Sequence, residues 1–212
     1  MNWLSYLFPR TITRASSPYN RDIRVVMENG RKKLLVNGIQ QSGPMIEGFW
    51  MYAFSHVELP EVTRVQTILV LGVGGGSVIH MLHARYPGAS LTGVDIDERI
   101  IAIGRKYFGL SGITPLKLVT SDASEYVQKD RKKYDLIIVD LYIGRMIPEF
   151  ESSEQFVRHL RARITPGGSV LFNFLHDGAF EQRSEGLYTI LKKQFSRVSR
   201  ADLPYNRFFL AR

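Results

Sequence analysis

A glycine-rich loop joins two apolar segments in ILVLGVGGGSVIHML, residues 68–82. Its glycines are Gly72, Gly74, Gly75 and Gly76. Because glycine lets the backbone turn sharply, the loop predicts a turn from a buried strand into a helix. The amide groups of such a loop stand at the positive end of the helix dipole, where a ligand can lie against the backbone. We therefore expect these four glycines to line a ligand site, although close packing of a strand on a helix also favours glycine.

Two aspartates follow the next two predicted strands. Asp95, with Ile96 after it, ends SLTGVD nineteen residues after the last glycine of the loop. From that position a carboxylate accepts hydrogen bonds from both hydroxyls of a ribose, whereas Asp97 is better placed to cap the following helix. Asp122, followed by Ala123, can accept from the exocyclic amine of an adenine or can simply begin a helix. Taken with the loop, these residues predict a nucleoside site.

The segments around these residues predict an α/β fold. Near-continuous apolar runs alternate with helical segments from residue 67 onwards, which indicates a parallel sheet covered on both faces. We predict strands at 67–72, 90–95, 116–120, 134–141 and 169–174, a capping box at Ser152–Gln155 and a last helix from about 180 to 195. Two short extended runs meet around Pro204–Asn206, so the last strand is expected to run antiparallel. Ligands bind such sheets at the carboxyl ends of the strands, where the strand order reverses.

A small antiparallel unit is expected before the α/β part. Residues 23–41 alternate apolar and polar side chains and contain two Asn-Gly pairs, which are a strong signal for a β-hairpin. We therefore predict an N-terminal segment with a hairpin over 1–60 and a Rossmann-like catalytic domain over 61–212. The apolar start, MNWLSYLFPR, is expected to dock on the rest of the chain or on a second subunit.

The composition limits the classes of function. The 212 residues include no cysteine, which excludes disulfides and thiol chemistry, and no apolar run reaches the roughly 18 residues that span a bilayer. The formal charge is +8, but the basic residues are scattered over predicted helix faces without interleaved aromatic residues, so nucleic acid is not an expected partner. The five histidines show no metal-ligand spacing, and we predict no metal. We expect a cytoplasmic protein with no membrane partner.

The spacing of the glycines separates two classes of nucleoside site. A dinucleotide site needs G-x-G-x-x-G, and its last glycine would fall at Ser77. The pattern Gly72-x-Gly74-x-Gly76 instead resembles the loop of S-adenosylmethionine-dependent transferases. Over residues 23–175 the chain resembles the spermidine synthase family and its methyltransferase-like relatives, in the hairpin, the glycine loop, GVDIDERIIAIGRKYFG, SDASEYV and YDLIIVDLY.

The resemblance implies a fold, a cofactor and a set of site residues. The fold would be the Rossmann-like sheet of class I methyltransferases, and the cofactor S-adenosylmethionine or its decarboxylated form. The implied cofactor-binding residues are Gln41, Gly72, Gly74, Gly75, Gly76, Asp95, Ile96, Asp122 and Ala123. Asp140 would end the fourth strand at the reacting centre, and Tyr142 is the second catalytic candidate.

Departures from the family pattern bear on which group is transferred. The family's true synthases have an aspartate where this chain has Gly75, and Asp-Ser-Ser-Asp-Pro where it has Asp140–Gly144. A desolvated dication needs paired carboxylates, because an unpaired buried charge is costly. We therefore favour methyl transfer to an unidentified nucleophile. In that reaction Asp140 would take the acceptor's proton, Tyr142 would shield the acceptor, and Trp50 would cover the sulfonium.

Two alternatives stay open at this point. One is aminopropyl transfer from decarboxylated S-adenosylmethionine with Asp140 as the sole base. The other is a catalytically inactive subunit that binds a nucleoside or acts by association. The acceptor is a small molecule or a protein; Arg145 points to an acidic acceptor or is a solvated loop residue. The hairpin unit and the apolar N-terminus together predict a homodimer.

Overall fold

The computed structural model describes residues 8–144 and 146–212, which form two β-sheets and six α-helices. The strands are β1 (Arg10–Ala15), β2 (Ile23–Glu28), β3 (Arg31–Val36), β4 (Ile39–Ser42), β5 (Thr67–Leu71), β6 (Ser90–Asp95), β7 (Leu116–Thr120), β8 (Tyr134–Val139), β9 (Ile164–Leu175), β10 (Val198–Asp202) and β11 (Asn206–Ala211). The helices are α1 (Pro44–His56), α2 (Ser77–Arg85), α3 (Glu98–Tyr107), α4 (Ala123–Lys129), α5 (Glu154–Ala162) and α6 (Glu181–Gln194). The predicted α/β class is confirmed.

The N-terminal sheet is antiparallel and has the order β1-β2-β3-β4. The predicted hairpin is confirmed: its turns at Asn29-Gly30 and Asn37-Gly38 have positive φ at all four positions, which Asn and Gly adopt most readily. Strand β1 was not predicted, because RTITRA is largely exposed and has no continuous apolar face. The inner face of this sheet packs on α3 through Ile23, Val25, Leu34, Val36, Ile100 and Ile103.

The main sheet has seven strands in the order β10-β11-β9-β8-β5-β6-β7. Strands β5 to β9 are parallel to one another, while β11 runs antiparallel to both β9 and β10, as predicted. Strand β5 lies inside the sheet, with β6 on one side and β8 on the other. The strand order therefore reverses beside β5, and this is where the ends of β5 and β8 meet.

Helices cover both faces of the main sheet. Helices α1 and α2 pack with one face of β5, and α4, α5 and α6 pack on the opposite face of the sheet. Residues Ile68–Leu71 and Leu136–Val139 are inaccessible to solvent, which explains why both strands read as unbroken apolar runs. Trp50 of α1 belongs to the same core as Phe208 of β11. The predicted division of the chain at residue 60 stays a prediction.

The structure corrects several predicted boundaries. Strand β8 ends at Val139, two residues before the predicted end at residue 141. The hydroxyl of Ser153 caps α5 by accepting from a backbone amide of its first turn, whereas the predicted capping box began at Ser152. Strand β9 begins at Ile164, five residues earlier than predicted, because a shift of register against β8 accommodates Pro166–Gly168. Residues 1–7, for which docking was predicted, lie outside the described residues.

Within the described part of the chain, every helix is too short or too polar to cross a membrane.

Candidate active site

A cavity opens at the carboxyl ends of the parallel strands, beside the reversal of strand order between β5 and β8. Residues that follow β5, β6, β7 and β8 form one side, and the N-terminal sheet forms the other. The predicted site residues that line it are Gln41, Gly72, Gly74, Asp95, Ile96, Asp122, Ala123, Asp140 and Tyr142. The structure thus brings nine of the eleven predicted residues together and leaves out Gly75 and Gly76. Their individual roles in binding stay predictions.

Gly72 brings the glycine loop against the residue that follows β8. Its φ is +92°, and a β-carbon here would overlap the carbonyl oxygen of Asp140 and lie 2.8 Å from its carbonyl carbon. The amide of Asp140 in turn donates to the carbonyl of Leu71 at 2.8 Å. Only glycine permits this approach, so Gly72 fixes the position of Asp140 relative to the loop.

The amide groups of the glycine loop are engaged, contrary to the expectation that they would be free for a ligand. Those of Val73 and Gly74 donate to Oδ2 of Asp95 at 3.0 and 3.2 Å. The amides of Gly72, Gly75 and Gly76 donate to the carbonyl of Val94, to Oγ of Ser42 and to the carbonyl of Val73, respectively. What the loop offers a ligand is therefore a surface without side chains.

Gly75 and Gly76 pack against the protein rather than facing the cavity. A β-carbon on Gly75 would lie 2.7 Å from Cβ of Ser42, and one on Gly76 would overlap the side chain of Leu110. The amide of Gly75 also donates to Oγ of Ser42 at 2.7 Å. At these two positions glycine is explained by close packing, which is the alternative that the sequence left open.

Asp95 orders the glycine loop and also lines the cavity. Its Oδ2 accepts from Val73 and Gly74, and its Oδ1 accepts from the amide of Asp97 at 3.0 Å. Burial raises the pKa of Asp95, and these three hydrogen bonds oppose the rise. Asp97 caps α3 by accepting from the amide of Arg99, as predicted.

Asp122 and Gln41 approach the cavity from opposite sides. Oδ1 of Asp122 accepts from the amide of Glu125 at 3.0 Å, so the helix-capping interpretation is confirmed, and Asp122 lines the cavity together with Ala123. Nε2 of Gln41 lies 3.4 Å from the carbonyl oxygen of Gly144. This contact joins the N-terminal sheet to the loop that follows β8.

Asp140 is half-buried and lines the cavity. Its Oδ1 accepts from Nδ2 of Asn173 at 2.8 Å. Burial raises the pKa of Asp140 to about 7; the hydrogen bond from Asn173 opposes the rise, and the negative charge of Asp95 adds to it. A carboxylate with a pKa near neutrality can take and release a proton at physiological pH.

The hydroxyl of Tyr142 is held by the two neighbouring strands. It donates to the carbonyl of Asn173 at 3.1 Å and accepts from Nδ2 of Asn206 at 3.1 Å. Burial raises the pKa of Tyr142 well above 10, and the charges of Asp140 and Glu151 add to the rise. Tyr142 therefore stays neutral and covers the site with its ring rather than acting as a base.

Four residues at or beside the site were missed by the sequence prediction. Asn20 lines the cavity from the N-terminal part of the chain. Asn173 and Asn206 form the hydrogen-bonded network beside Asp140, and Nδ2 of Asn206 donates to Oδ1 of Asn173 at 2.9 Å. The signal for Asn173 was a single polar residue within the buried run SVLFNF.

The fourth missed residue, Glu151, lies in a one-turn 3-10 helix over Glu149–Ser152. It is inaccessible to solvent, and neither carboxyl oxygen has a hydrogen-bond partner in the part of the chain that the structure describes. Burial raises its pKa well above 4.5; the charge of Asp140 adds to the rise, while Arg183 opposes it. Arg183 itself donates to the carbonyl of Pro148, next to this turn.

Trp50 does not face the cavity. It is 1% exposed, and its ring packs on Phe54 and Phe208 at centroid distances of 5.3 and 5.2 Å. The predicted cation–π contact of Trp50 with a sulfonium is therefore wrong, because the indole is part of the core. Arg145 lies outside the described residues.

Acidic and apolar groups dominate the cavity. Asp95, Asp122 and Asp140 line it, and the described lining residues include no lysine or arginine. The apolar contribution beside Asp140 comes from Leu141, Ile143, Pro148 and Phe150. Across residues 8–144 and 146–212, no three His, Cys, Asp or Glu side chains are grouped to hold a metal ion. The cavity therefore suits an uncharged or cationic organic ligand with apolar surface.

A family model described as spermine/spermidine synthase domain matches residues 51–182. The chain is similar to a probable polyamine aminopropyl transferase of Bifidobacterium longum, with 34% identity over 117 residues that make up 54% of this chain and 26% of that protein. The chain spans between 26% and 50% of the length of the first two curated relatives it matches.

Two solved structures share the fold. A probable spermidine synthase from Corynebacterium glutamicum has a TM-score of 0.78 and 18% identity, with 94% of this chain and 79% of that one covered. Human methyltransferase-like protein 13 in complex with SAH has a TM-score of 0.68 and 18% identity, with 80% and 82% covered. Both likenesses show the fold alone. Since the family model matches more than half of the residues, this chain belongs to the spermine/spermidine synthase domain family.

Proposed function

We propose that this protein is an S-adenosylmethionine-dependent methyltransferase whose acceptor is a nucleophile with a removable proton, an amine or a hydroxyl of a small molecule or a protein. The observation that carries the proposal is Asp140, a half-buried carboxylate at the strand switch point with a pKa of about 7. A group of this kind is suited to take the proton of such an acceptor near neutral pH.

The residues of the cavity fit the adenosine part of the donor. Gly72 and Gly74 present backbone atoms to the cavity. Carboxylates at Asp95 and Asp122 are acceptors for hydroxyl and amine groups, and they follow neighbouring strands. These observations support an adenosine that lies across the ends of β5, β6 and β7.

S-adenosylmethionine supplies a methyl carbon already activated by the sulfonium charge. The protein's task is then to orient the acceptor, take its proton and exclude water. Asp140 would take the proton on Oδ2, since Oδ1 accepts from Asn173. The ring of Tyr142 and the apolar wall of Ile143 and Phe150 would exclude water.

The acceptor side of the cavity lacks the carboxylates that would bind a polyamine. This absence favours methyl transfer over aminopropyl transfer. Gly75 is packed against Ser42, so no carboxylate reaches the cavity from this position. The loop residues Leu141–Gly144 carry no acidic side chain. On the acceptor side, Asp140 is the single acidic residue among the described residues that line the cavity. The second ammonium group of a diamine would therefore have no carboxylate partner there.

Aminopropyl transfer remains the second candidate, and the charge of the cavity favours it. Intact S-adenosylmethionine carries a carboxylate, and no lysine or arginine is present among the described lining residues to pair with it. The decarboxylated donor has no such group and carries more positive charge, which suits the three aspartates Asp95, Asp122 and Asp140.

Calorimetry of the purified protein with the two donors separates the candidates. Binding of S-adenosylmethionine at least about tenfold tighter than its decarboxylated form would support methyl transfer, a difference of about 1.4 kcal/mol. The opposite preference would overturn methyl transfer and support aminopropyl transfer. Failure to bind either donor would overturn both and leave the inactive-subunit hypothesis.

The Asp140→Asn variant tests the catalytic step. We expect donor affinity to stay within about twofold while turnover falls by about 10²–10⁴, the usual contribution of a general base. Glu149→Gln is the matched control, because Glu149 is exposed and lies outside the cavity lining.

We also propose that the protein forms a homodimer, and sedimentation equilibrium of the purified protein tests this.

A further inference from the structure

Three helix ends lie side by side at the edge of the main sheet that is opposite the cavity. Helices α4, α5 and α6 pack on one face of the sheet and each precedes a strand, so their carboxyl ends meet where those strands begin. The side chain of Lys133 donates to the carbonyl of Ala162, and the guanidinium of Arg161 lies 5.8 Å from the ring centroid of Phe195. These contacts join the three ends into one helix-end surface, which comprises residues 129–133, 158–163 and 192–197.

The net charge of the chain is concentrated on the helix-end surface. Its residues include ten of the 28 basic residues and one of the 20 acidic residues, which gives a charge of +9. The rest of the chain has 18 basic and 19 acidic residues and is nearly neutral. Basic residues that are scattered along the sequence thus form one continuous surface in the fold. This removes the sequence-based reason for not expecting nucleic acid as a partner.

Packing and ion pairs account for only half of these basic residues. Lys133 and Arg163 donate to backbone carbonyls at the helix ends, where a cation also interacts favourably with the helix dipole. Lys129, Arg158 and Arg197 pair with glutamates. The other five are exposed and form no salt bridge in the part of the chain that the structure describes: Arg131, Lys132, Arg161, Lys192 and Lys193. Because like charges repel one another, this arrangement favours an anionic partner.

The helix-end surface is charged but not apolar. Among the described residues, none of the large apolar side chains that are exposed belongs to it. The centre of a protein–protein interface is apolar, whereas interfaces with nucleic acid are more polar and much more positively charged. The rings of Tyr134 and Phe195 are buried beneath Lys132 and Arg161, so the bases of a single strand have no ring here on which to stack. The phosphates of a duplex need only the cations.

We propose that the helix-end surface binds the phosphate backbone of double-stranded nucleic acid without reading its sequence. Helices packed side by side are about 8–10 Å apart, so the three ends spread their cations over about 20 Å. This width corresponds to about six base pairs of a duplex. The surface lies at the opposite edge of the sheet from the cavity, so a duplex leaves the cavity accessible. The proposal is therefore independent of the proposed transferase function.

Fluorescence anisotropy with a labelled DNA duplex of about 20 base pairs, and with an RNA duplex of the same sequence, tests the proposal. We expect the wild type to bind with a dissociation constant of about 10⁻⁶–10⁻⁴ M at physiological salt. The slope of log affinity against log salt concentration should be about −4 to −5, since each neutralised phosphate contributes about −0.9. Binding of either duplex supports the proposal, and the tighter of the two identifies the form that the protein prefers.

A fourfold variant removes most of the unpaired cations: Arg131→Gln, Lys132→Gln, Lys192→Gln and Lys193→Gln. Its slope should be smaller in magnitude by about 3 to 4, and its affinity at low salt should be at least about tenfold lower. Should this variant not fold, the pair on the α4 end and the pair on the α6 end are substituted separately. Each pair should then reduce the slope by about 2.

The matched control removes the same charge from exposed residues of α3 and β7: Arg99→Gln, Arg105→Gln, Lys106→Gln and Lys117→Gln. Its slope and affinity should stay close to those of the wild type. An equal loss in both fourfold variants would overturn the proposal, because net charge alone would then explain binding. Undiminished binding by the helix-end variant, or no binding of either duplex by the wild type, would also overturn it. So would tighter binding to poly-glutamate, or to vesicles of equimolar phosphatidylserine and phosphatidylcholine, than to the duplexes.

Discussion

Nδ2 of Asn173 donates to Oδ1 of Asp140 at 2.8 Å, which joins β9 to the proposed general base. This hydrogen bond favours the charged carboxylate and so opposes the effect of burial on the pKa of Asp140. Asn173 is in turn held by Asn206 at 2.9 Å. The two asparagines therefore help to set the pH at which Asp140 can accept a proton.

The Asn173→Ala variant should move the acid limb of the activity profile to higher pH. Wild-type activity should fall as the pH drops through about 7, because a protonated Asp140 cannot take the acceptor's proton. Removing the hydrogen bond raises the pKa of Asp140 further, so the midpoint should rise. The measurement is initial rate against pH. Asn206→Ala is the control, for which we expect a smaller shift of this midpoint. An unchanged midpoint in Asn173→Ala would contradict the assignment of Asp140 as the general base.

Gly72→Ala should destabilise the protein by about 2–4 kcal/mol and abolish nucleoside binding. The added β-carbon would overlap the backbone of Asp140, and φ is +92°, so the loop and β8 would be pushed apart. Denaturant unfolding and calorimetry measure the two effects. Gly48→Ala is the control: Gly48 lies inside α1 with open space around it, and helix propensity predicts a gain of up to about 1 kcal/mol. Equal stability of the two variants would contradict the packing argument.

Gly75→Asp restores the loop carboxylate of the family's true synthases, but the fold obstructs it. The new β-carbon would lie 2.7 Å from Cβ of Ser42, so we expect a loss of about 1–3 kcal/mol. The double variant Gly75→Asp, Ser42→Gly should recover part of that stability. It should also bind decarboxylated S-adenosylmethionine more tightly than the wild type does. Both properties are measurable by thermal unfolding and calorimetry, and full stability of the single variant would show that Ser42 can move aside.

Glu151→Gln should make the stability of the protein less sensitive to pH. The pKa of Glu151 is raised well above 4.5 by burial, so the folded state keeps its proton where the unfolded state loses it. Stability is therefore fully present below about pH 4.5 and is lost as the pH rises towards the folded-state pKa. The glutamine variant, which carries no charge, should match the wild type at pH 4 and exceed it by about 1–3 kcal/mol at pH 9.

Urea unfolding at the two pH values measures this difference, with Glu149→Gln as the exposed control in the same turn. The control should stay within about 0.5 kcal/mol of the wild type at both pH values. If the free energy of unfolding of Glu151→Gln falls with pH as steeply as that of the wild type, Glu151 is not the group that causes the loss of stability at high pH.

Local patterns in the sequence determined most of the fold. Apolar runs that alternate with helical segments predicted the parallel sheet, and Asn29-Gly30 predicted the hairpin, because each depends on neighbouring residues. The same patterns placed Asp95, Asp122 and Asp140 at strand ends, and parallel strands bring their carboxyl ends to one edge. The identity of these candidates could therefore be predicted without the structure.

Only the tertiary structure decided which groups meet across long stretches of chain. Asn20 and Ser42 reach the site from distant elements, and no local pattern marks such contacts. Packing also decided that Gly75 faces Ser42 and that the loop amides are already bonded. The sequence analysis assigned Trp50 to the site, but the residue lies in the core. An aromatic residue near a motif looks the same in the sequence whether it lines a site or packs in the core.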